Sequence, residues 1–485
     1  MTSFLPDLRA YETYSCIDLQ GADLQEADLQ GLKMQGCDMS HANLRGANLA
    51  GADLRRVNLC GTNLSGADLS GVNLTGADLI QADLSYANLY GADLQRANLE
   101  RSDLSHACLV EAQLLGVRLR RARLNEAQLT CARMDGASLR GTDLSRANLQ
   151  GVSLNRGNLA FTRLRQANLR GAKLIGAYMR GADLVGANLA EADLSGALLG
   201  VANLRGANLR NAKLFRANLS DAILEDCDLD DGKLSRAYLS GASLKNATLN
   251  RAEMTEVILL RSDLQGAELC HALLNRAYLN EADLSRANLS DANLSSANLN
   301  RVNFDEAQVN ATRCEGSLGL DGEMSAELSR RGAIVMLIPR YSQSGELGEM
   351  DVETLWQLNE AKDNIVRRFD DLREGLQPFR RIIGLIKATV QSQSVAALLD
   401  LGRFDEVYHS FEVDIETGQR EIFAHLETVH NGELQLWLVE QYPQELDMIH
   451  GNILRLSEIT RVFHELWISL LDQGNDGFES ELLDL

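Results

Sequence analysis

The chain has 485 residues, a formal net charge of −21, 45% hydrophobic but only 5% aromatic residues, and four prolines against 39 glycines. That length leaves room for two or three domains and a large buried core, and no run approaches the ~18 apolar residues of a membrane-spanning helix. The acidity is local: Ile17–Cys314 carries 34 acidic and 32 basic side chains, whereas Glu315–Leu485 carries 32 and 14.

The start of the chain, Met-Thr-Ser-Phe-Leu-Pro-Asp, has neither a basic segment nor an apolar one of the kind a secretory leader needs. Eight cysteines are scattered with no Cys-x-x-Cys pair, a usage that fits a reducing compartment better than a disulfide framework. The expectation is a cytoplasmic protein with no membrane partner. Residues 1–16 are read as an N-terminal cap, with Tyr11 and Tyr14 covering the first turn of a repeat that begins at Ile17.

From residue 17 to 314 the chain repeats every five residues. A large apolar residue stands at each fifth position from Leu19 to Val309, 59 units in one register: 52 Leu, five Met, Phe304 and Val309. Two residues earlier sits Ala in 42 units, with Ile17 and Leu32 the only bulky exceptions. Gly157 and Gly232 are read as leaving that small slot emptier, and Leu32 as overfilling it. On an α-helix, positions five apart spiral round the cylinder and form no face; on a plain strand the inward period is two. A short extended piece followed by a corner, always turning the same way, closes instead into a stacked coil. The other three residues of each unit point outward and are mostly polar.

Order at a 20-residue step suggests four units per coil. Asp103, Arg123, Asp143, Arg163 and Asp183 alternate in sign at that step, and opposite charges at cross-strand spacing are mildly favourable. The 15-residue step from Asp103 through Arg118, Arg133 and Asn148 shows no such order.

The Ala-(Asp/Asn)-Leu-x-x unit, as in Ala22-Asp23-Leu24 and Ala297-Asn298-Leu299, resembles the pentapeptide-repeat family. That resemblance implies a β-solenoid, a right-handed quadrilateral β-helix of four units per coil. About 15 coils at ~4.8 Å each would make a rod of roughly 70 Å.

Residues 315–350 read as a capping helix and linker. Gly316–Gly322 is a connection, Met324–Arg331 a short helix stopped by Gly332 and plugging the last coil, and Ala333–Ile338 a strand-like run. Residues 351–485 read as a small, mainly helical, acidic α+β domain. Helices are expected over Asp351–Leu376, from Ile382 to about Leu401 and over Pro443–Gln473, where Trp467 sits. Period-two strands are expected in Phe411–Glu440, with turns at Glu416-Thr-Gly-Gln and His430-Asn-Gly.

Chemistry-bearing patterns are sparse. His41, His106 and His271 read as outward spacers on the rod; His409, His425, His430, His450 and His464 fall in the C-terminal part without ligand spacing. The expectation is no catalytic residue, no metal and no cofactor. One 20-residue column does break the Asp/Asn rule: Tyr178, Leu198, Tyr238, Ile258 and Tyr278. A contiguous apolar stripe of this kind marks a candidate partner surface, or a dock for the chain's own tail. A second column holds Arg120, Arg140 and Arg180, inside a stretch from Glu111 to Arg180 with 13 basic and four acidic residues. It reads as a basic face, with nucleic acid disfavoured because basic and stacking groups do not interleave.

The residues favour a non-enzymatic protein–protein interaction scaffold: a rigid rod with a C-terminal domain for docking or oligomerisation, a homodimer included. The resemblance adds an alternative, since family members conferring quinolone resistance resemble DNA in shape and charge and bind gyrase. A rod of near-zero net charge with a basic belt speaks against that alternative. An enzyme or regulatory domain in residues 351–485 is a third reading.

Overall fold

The computed structural model describes residues 18–335, all within the first of two units, Met1–Arg340 and Tyr341–Leu485. The expectations for residues 1–16, for the linker 341–350 and for the domain 351–485 lie outside the described residues.

The rod is a stack of coils held by parallel bridges. Asp18 pairs with Asp38, Asp23 with Asn43, and so on to Asn298 with Leu318; each of these steps is 20 residues. Four five-residue units therefore make one coil, and the coil has four faces. The first carries the bridging column through residues 18, 38 and 58, the second that through 23 and 43, the third that through 28 and 48, the fourth that through 33 and 53.

Unit 188–192 shows why this repeat closes. Asn188 N–H donates back to the Ala167 carbonyl (2.9 Å), and Leu189 N–H forward to Asn208 (2.7 Å). Glu191 N–H reaches the Arg210 carbonyl (2.9 Å), and Ala192 N–H closes a turn on Leu189 (3.0 Å). The fifth N–H, of Ala190, donates to Asn188 Oδ1 at 3.2 Å. All five backbone donors are satisfied, as a coil with dry walls requires. The Asp/Asn preference before Leu has the same origin, because only a short side chain with an acceptor oxygen reaches the N–H two residues on. Asparagines also run a ladder between coils, as in Asn188 Nδ2 to Asn168 Oδ1 (3.2 Å).

Each corner is a turn whose third residue has positive φ, which makes it type II. Glycine supplies that conformation in many units, yet 37 non-glycine residues adopt it as well, with φ of 51–61°. His41, His106 and His271 are among them. The coil forces the backbone there at a local cost of roughly 1–2 kcal/mol per residue.

The interior is two kinds of stack, Leu on Leu and Ala on Ala, with Leu189 and Ala187 at 0% and 1% exposure typical of its length. Polar residues in the small slot are tied off. Thr62, Thr142, Thr162 and Thr312 hydroxyls donate to the carbonyls of Met39, Leu119, Leu139 and Leu289, so no hydroxyl among them is stranded in the core. Burial pushes the Cys227 and Cys314 thiols up to about 12; they are protonated packing groups. Gly232 does not leave a void: a Cβ there would meet the Leu229 carbonyl at 2.8 Å, because the coil has closed on the glycine.

Stacking continues past Cys314 to Leu318, with Ser317 in the small slot donating to Leu294. Helix α1 then spans Gly322–Arg330, beginning two residues earlier than its apolar pattern suggested because Asp321 caps it by accepting from Met324 N–H at 2.8 Å. Leu328 is fully buried against the rod. The Arg331 guanidinium donates to the carbonyls of Phe304 and Ala307, filling in for a coil that is not there. Ile334 then bridges to Arg313. The open end is blunted by a helix and one arginine.

Leu189→Ala should lower unfolding stability by about 2–5 kcal/mol in urea denaturation followed by circular dichroism. Leu189→Asp should prevent a cooperative transition, since the charge would have no partner in the core. A normal transition for the Asp variant would contradict the stacked-Leu interior.

Candidate partner-binding face

The bridges set Arg118, Ser138, Asn158, Tyr178, Leu198, Asn218, Tyr238, Ile258, Tyr278 and Asn298 in one column on the first face. The stripe residues Tyr178, Leu198, Tyr238, Ile258 and Tyr278 are thus aligned by the backbone. Arg120, Arg140 and Arg180 fall in the neighbouring column of that same face, two residues further along each coil. Their carbonyls accept from Arg101, Arg121 and Phe161 of the coil before. The apolar stripe and the basic residues, separate features in the sequence, are one surface.

This face has two zones. Between Gly116 and Gly181 its two columns and two corners hold six arginines (Arg118, Arg120, Arg121, Arg140, Arg156 and Arg180) and no acidic residue. Between Leu198 and Asn280 the same two columns hold no charged residue at all: Leu198, Asn218, Tyr238, Ile258 and Tyr278 beside Gly200, Ser220, Ser240, Leu260 and Asn280. Over those coils ion pairs run along the other three faces and also up the first face's own two corners, where Arg236 meets Glu256 at 2.8 Å and Arg261 meets Glu281 at 3.0 Å. Lys245 meets Asp263 at 2.9 Å on the second, Arg210 meets Asp230 at 3.2 Å on the third, and Lys233 meets Glu253 at 3.6 Å on the fourth. The alternating column Asp103–Arg123–Asp143–Arg163 also runs up the second face, with pairs at 3.3 and 3.8 Å. Such exposed pairs contribute little to stability, but they mark faces satisfied by their own charges.

The apolar zone is maintained against two costs. A Tyr, Leu or Ile before the core Leu cannot accept the N–H two residues on, so each gives up the bond that Asn188 makes. The corner beside Leu198 is Val201, 45% exposed at φ 51°. It is the one β-branched side chain among the described positive-φ residues, where branching is most strained. Strain of this kind collects at functional surfaces.

Phe161, Val201 and Leu260 were missed in the sequence because only the position before the core Leu was followed; the same 20-residue step through the next two outward positions would have found them. Phe161 is 50% exposed, and Arg140 lies over its ring at 5.7 Å. Its ring lies across Gly181, where a Cβ would approach within 2.8 Å. Ile258 is only 8% exposed, packed in line between Tyr238 and Tyr278. At the outer edges stand Ile175 and Phe215.

His106 stacks on Tyr86 with ring centroids 4.6 Å apart and faces Glu126 at 3.5 Å. Among the described residues no group of three or more His, Cys, Asp or Glu could hold a metal ion, and no helix is long and apolar enough to cross a membrane. Burial pushes the Cys60 thiol up to about 11.

The family profile described as Pentapeptide repeats matches the chain in overlapping segments from 15–40 to 272–308. The chain belongs to the pentapeptide-repeat family. Its rod is accordingly a right-handed β-helix. Similar solved structures include HetL of the cyanobacterium Nostoc sp., a pentapeptide-repeat protein involved in heterocyst differentiation regulation. It is 33% identical over 52% of this chain and 96% of its own, with a TM-score of 0.23. QnrB1, a plasmid-mediated fluoroquinolone resistance protein, is 22% identical over 48% and 92%, TM-score 0.23. Rfr23 of the cyanobacterium Cyanothece is 32% identical over 21% and 64%, TM-score 0.13. No curated protein matches the chain.

If Val201 is a surface feature of this pentapeptide-repeat rod and not a packing one, Val201→Gly should leave the melting temperature equal or higher, since relief of the left-handed strain (about 1–2 kcal/mol) offsets the entropy of the added glycine (about 0.5–1 kcal/mol). A fall of several degrees would assign Val201 to the fold.

Proposed function

We propose that the protein is a non-enzymatic protein–protein interaction scaffold, whose rod presents its first face to a protein partner. The observation that carries this reading is the pairing of two charge-free columns, Leu198–Tyr278 and Gly200–Asn280, between corners that carry ion pairs of their own, Arg236 with Glu256 and Arg261 with Glu281. In these columns Tyr238 is exposed while Ile258 and Leu260 are buried at 8% and 7%, and an aligned apolar stripe bordered by charge is characteristic of contact sites. Rigidity adds to it: each stripe residue is tied by its own N–H and carbonyl to the coil before, as Tyr178 is to Gly157 and Leu159, and its chain neighbours are tied to the coil after, so little ordering entropy is lost on binding. Residues 351–485, with their acidic composition, supply a second surface for docking or for pairing two copies, and the cytoplasm is the setting that the cysteine usage supports.

A DNA-mimicking inhibitor of a gyrase-like protein is the weaker alternative. Such a mimic needs a sustained negative rod, and here the repeat balances 34 acidic against 32 basic residues with six arginines gathered on one face.

Replacing Tyr178, Tyr238 and Tyr278 together by Asn restores the family's usual residue and should preserve the thermal transition. Affinity purification from native cells should then recover the partner at least tenfold less well than with the unaltered chain. Equal recovery of the same proteins would remove the face from the binding surface.

A further inference from the structure

We infer that the third face of the rod, where Tyr86 and Tyr90 stand, takes a basic segment of another protein, with an arginine side chain stacked on the open side of the Tyr86 ring. This surface shares no residue with the first face and does not depend on it.

The corner between the second and third faces runs through Glu26, Gly46, Gly66, Tyr86, His106 and Glu126. Tyr86 holds that corner at φ 59°, a conformation that glycine adopts freely and other residues resist. Its side chain is 66% exposed. Corner side chains lean toward the following coil: a Cβ on Gly46 would meet Glu26, one on Gly61 would meet His41, and one on Gly181 would meet Phe161. Tyr86 leans the same way and lays one side of its ring on His106, with centroids 4.6 Å apart and planes 6° from parallel. His106 is held in turn by Glu126 at 3.5 Å. The other side of the Tyr86 ring looks back over Gly66, where a Cβ would meet nothing within 4 Å. One side of the ring is built into a stack, and the other is open.

Charge selects a cation for that open side. From Glu26 to Cys131 the third face and its two corners carry Glu26, Asp28, Asp68, Glu111 and Glu126, with no lysine or arginine among them. Asp68 accepts from Asn88 Nδ2 at 2.9 Å and from the Ser70 N–H at 3.1 Å. Glu111 accepts from the Tyr90 hydroxyl at 3.1 Å. These neutral donors orient the carboxylates without cancelling their charge. Arg146 stands at the upper border, 3.7 Å from Glu126.

The rod itself shows what its exposed rings attract. Arg140 lies over Phe161 at 5.7 Å, and Arg216 over Phe215 at 5.3 Å. Among the described residues no guanidinium lies over Tyr86. A cation is drawn to the face of an aromatic ring, and a flat guanidinium stacks there as a lysine ammonium does not. Tyr90, 49% exposed, stands four residues further along the same coil, about 13 Å at ~3.3 Å per extended residue. With Glu111 beside it, Tyr90 offers a second cation of the same segment an aromatic ring and a carboxylate together. A nucleobase also stacks on tyrosine, but its phosphates would lie among the carboxylates of this face.

The test measures binding of the full chain by fluorescence polarisation to peptides of four Arg-Gly-Ser, four Lys-Gly-Ser or four Glu-Gly-Ser units, and to an oligouridine of equal length. Tyr86→Gly should keep the thermal transition, because glycine is an ordinary residue of these corners. The Arg peptide should bind the unaltered chain more tightly than the Lys peptide, and the Glu peptide should not bind. Affinity for the Arg peptide should fall at least threefold with Tyr86→Gly, and as much with Glu111→Gln/Glu126→Gln. An affinity unchanged by Tyr86→Gly would overturn the inference, since an acidic chain would then be holding the peptide elsewhere. Equal binding of the Arg and Lys peptides would overturn the stacked guanidinium. Oligouridine bound more tightly than either peptide, and lost with Tyr86→Gly, would replace the basic segment with nucleic acid. The first face is unaltered in every variant, so none of these results bears on the partner proposed for it.

Discussion

Everything in the rod depends on one constraint: each coil must present its backbone to the next at ~4.8 Å while keeping a dry interior. Three of the five donors in a unit are spent between coils, one closes the turn, and one is met by the Asp or Asn side chain. Leu, Ala and Asp/Asn are therefore answers to three separate physical demands, those of filling the core, leaving room for the neighbouring turn and supplying an acceptor. The corner is the place where the backbone yields, and 37 non-glycine residues are held there in a left-handed conformation.

Because stacking repeats every 20 residues, a side chain's neighbours are set by arithmetic. Charges form ladders up the corners, as in Arg236–Glu256–Arg276 and Arg261–Glu281–Arg301. Each rung adds little energy in solvent, and both of these ladders run up the corners that border the first face. Between those corners the two columns of the first face hold arginines below and uncharged residues above. Function is read from this contrast, since the stacking itself would tolerate Asp or Asn at every one of those places.

Much of this was legible in the sequence. The five-residue period announces the solenoid, and the Asp103–Arg123–Asp143–Arg163–Asp183 alternation indicates four units per coil, which the bridges reproduce. The alignment of Tyr178, Leu198, Tyr238, Ile258 and Tyr278 was also readable. What periodicity could not convey is which outward positions share a side. The stripe and Arg120, Arg140 and Arg180 lie on the same face because both of their columns flank one inward Leu, and Phe161 and Val201 join them only because the corner turns outward. Nor does a residue count reveal that Gly232 is a closed slot, that Asp321 starts α1 two residues early, or that Ser317 and Leu318 prolong the stack. Those depend on distances that only the folded coil defines.

The four-unit coil is tested most directly by disulfide pairing across the stack. Asn168→Cys with Asn188→Cys places two sulfurs in one column on adjacent coils, where the ~4.8 Å separation lies within the 4.4–6.8 Å Cα range of a disulfide. Asn168→Cys with Asp183→Cys, 15 residues apart, puts them on different faces. Mild oxidation followed by peptide mapping should find the first pair crosslinked in nearly all molecules and the second reduced. Crosslinking of the 15-residue pair with the 20-residue pair left free would contradict the four-unit coil, and with it the face on which the partner reading stands.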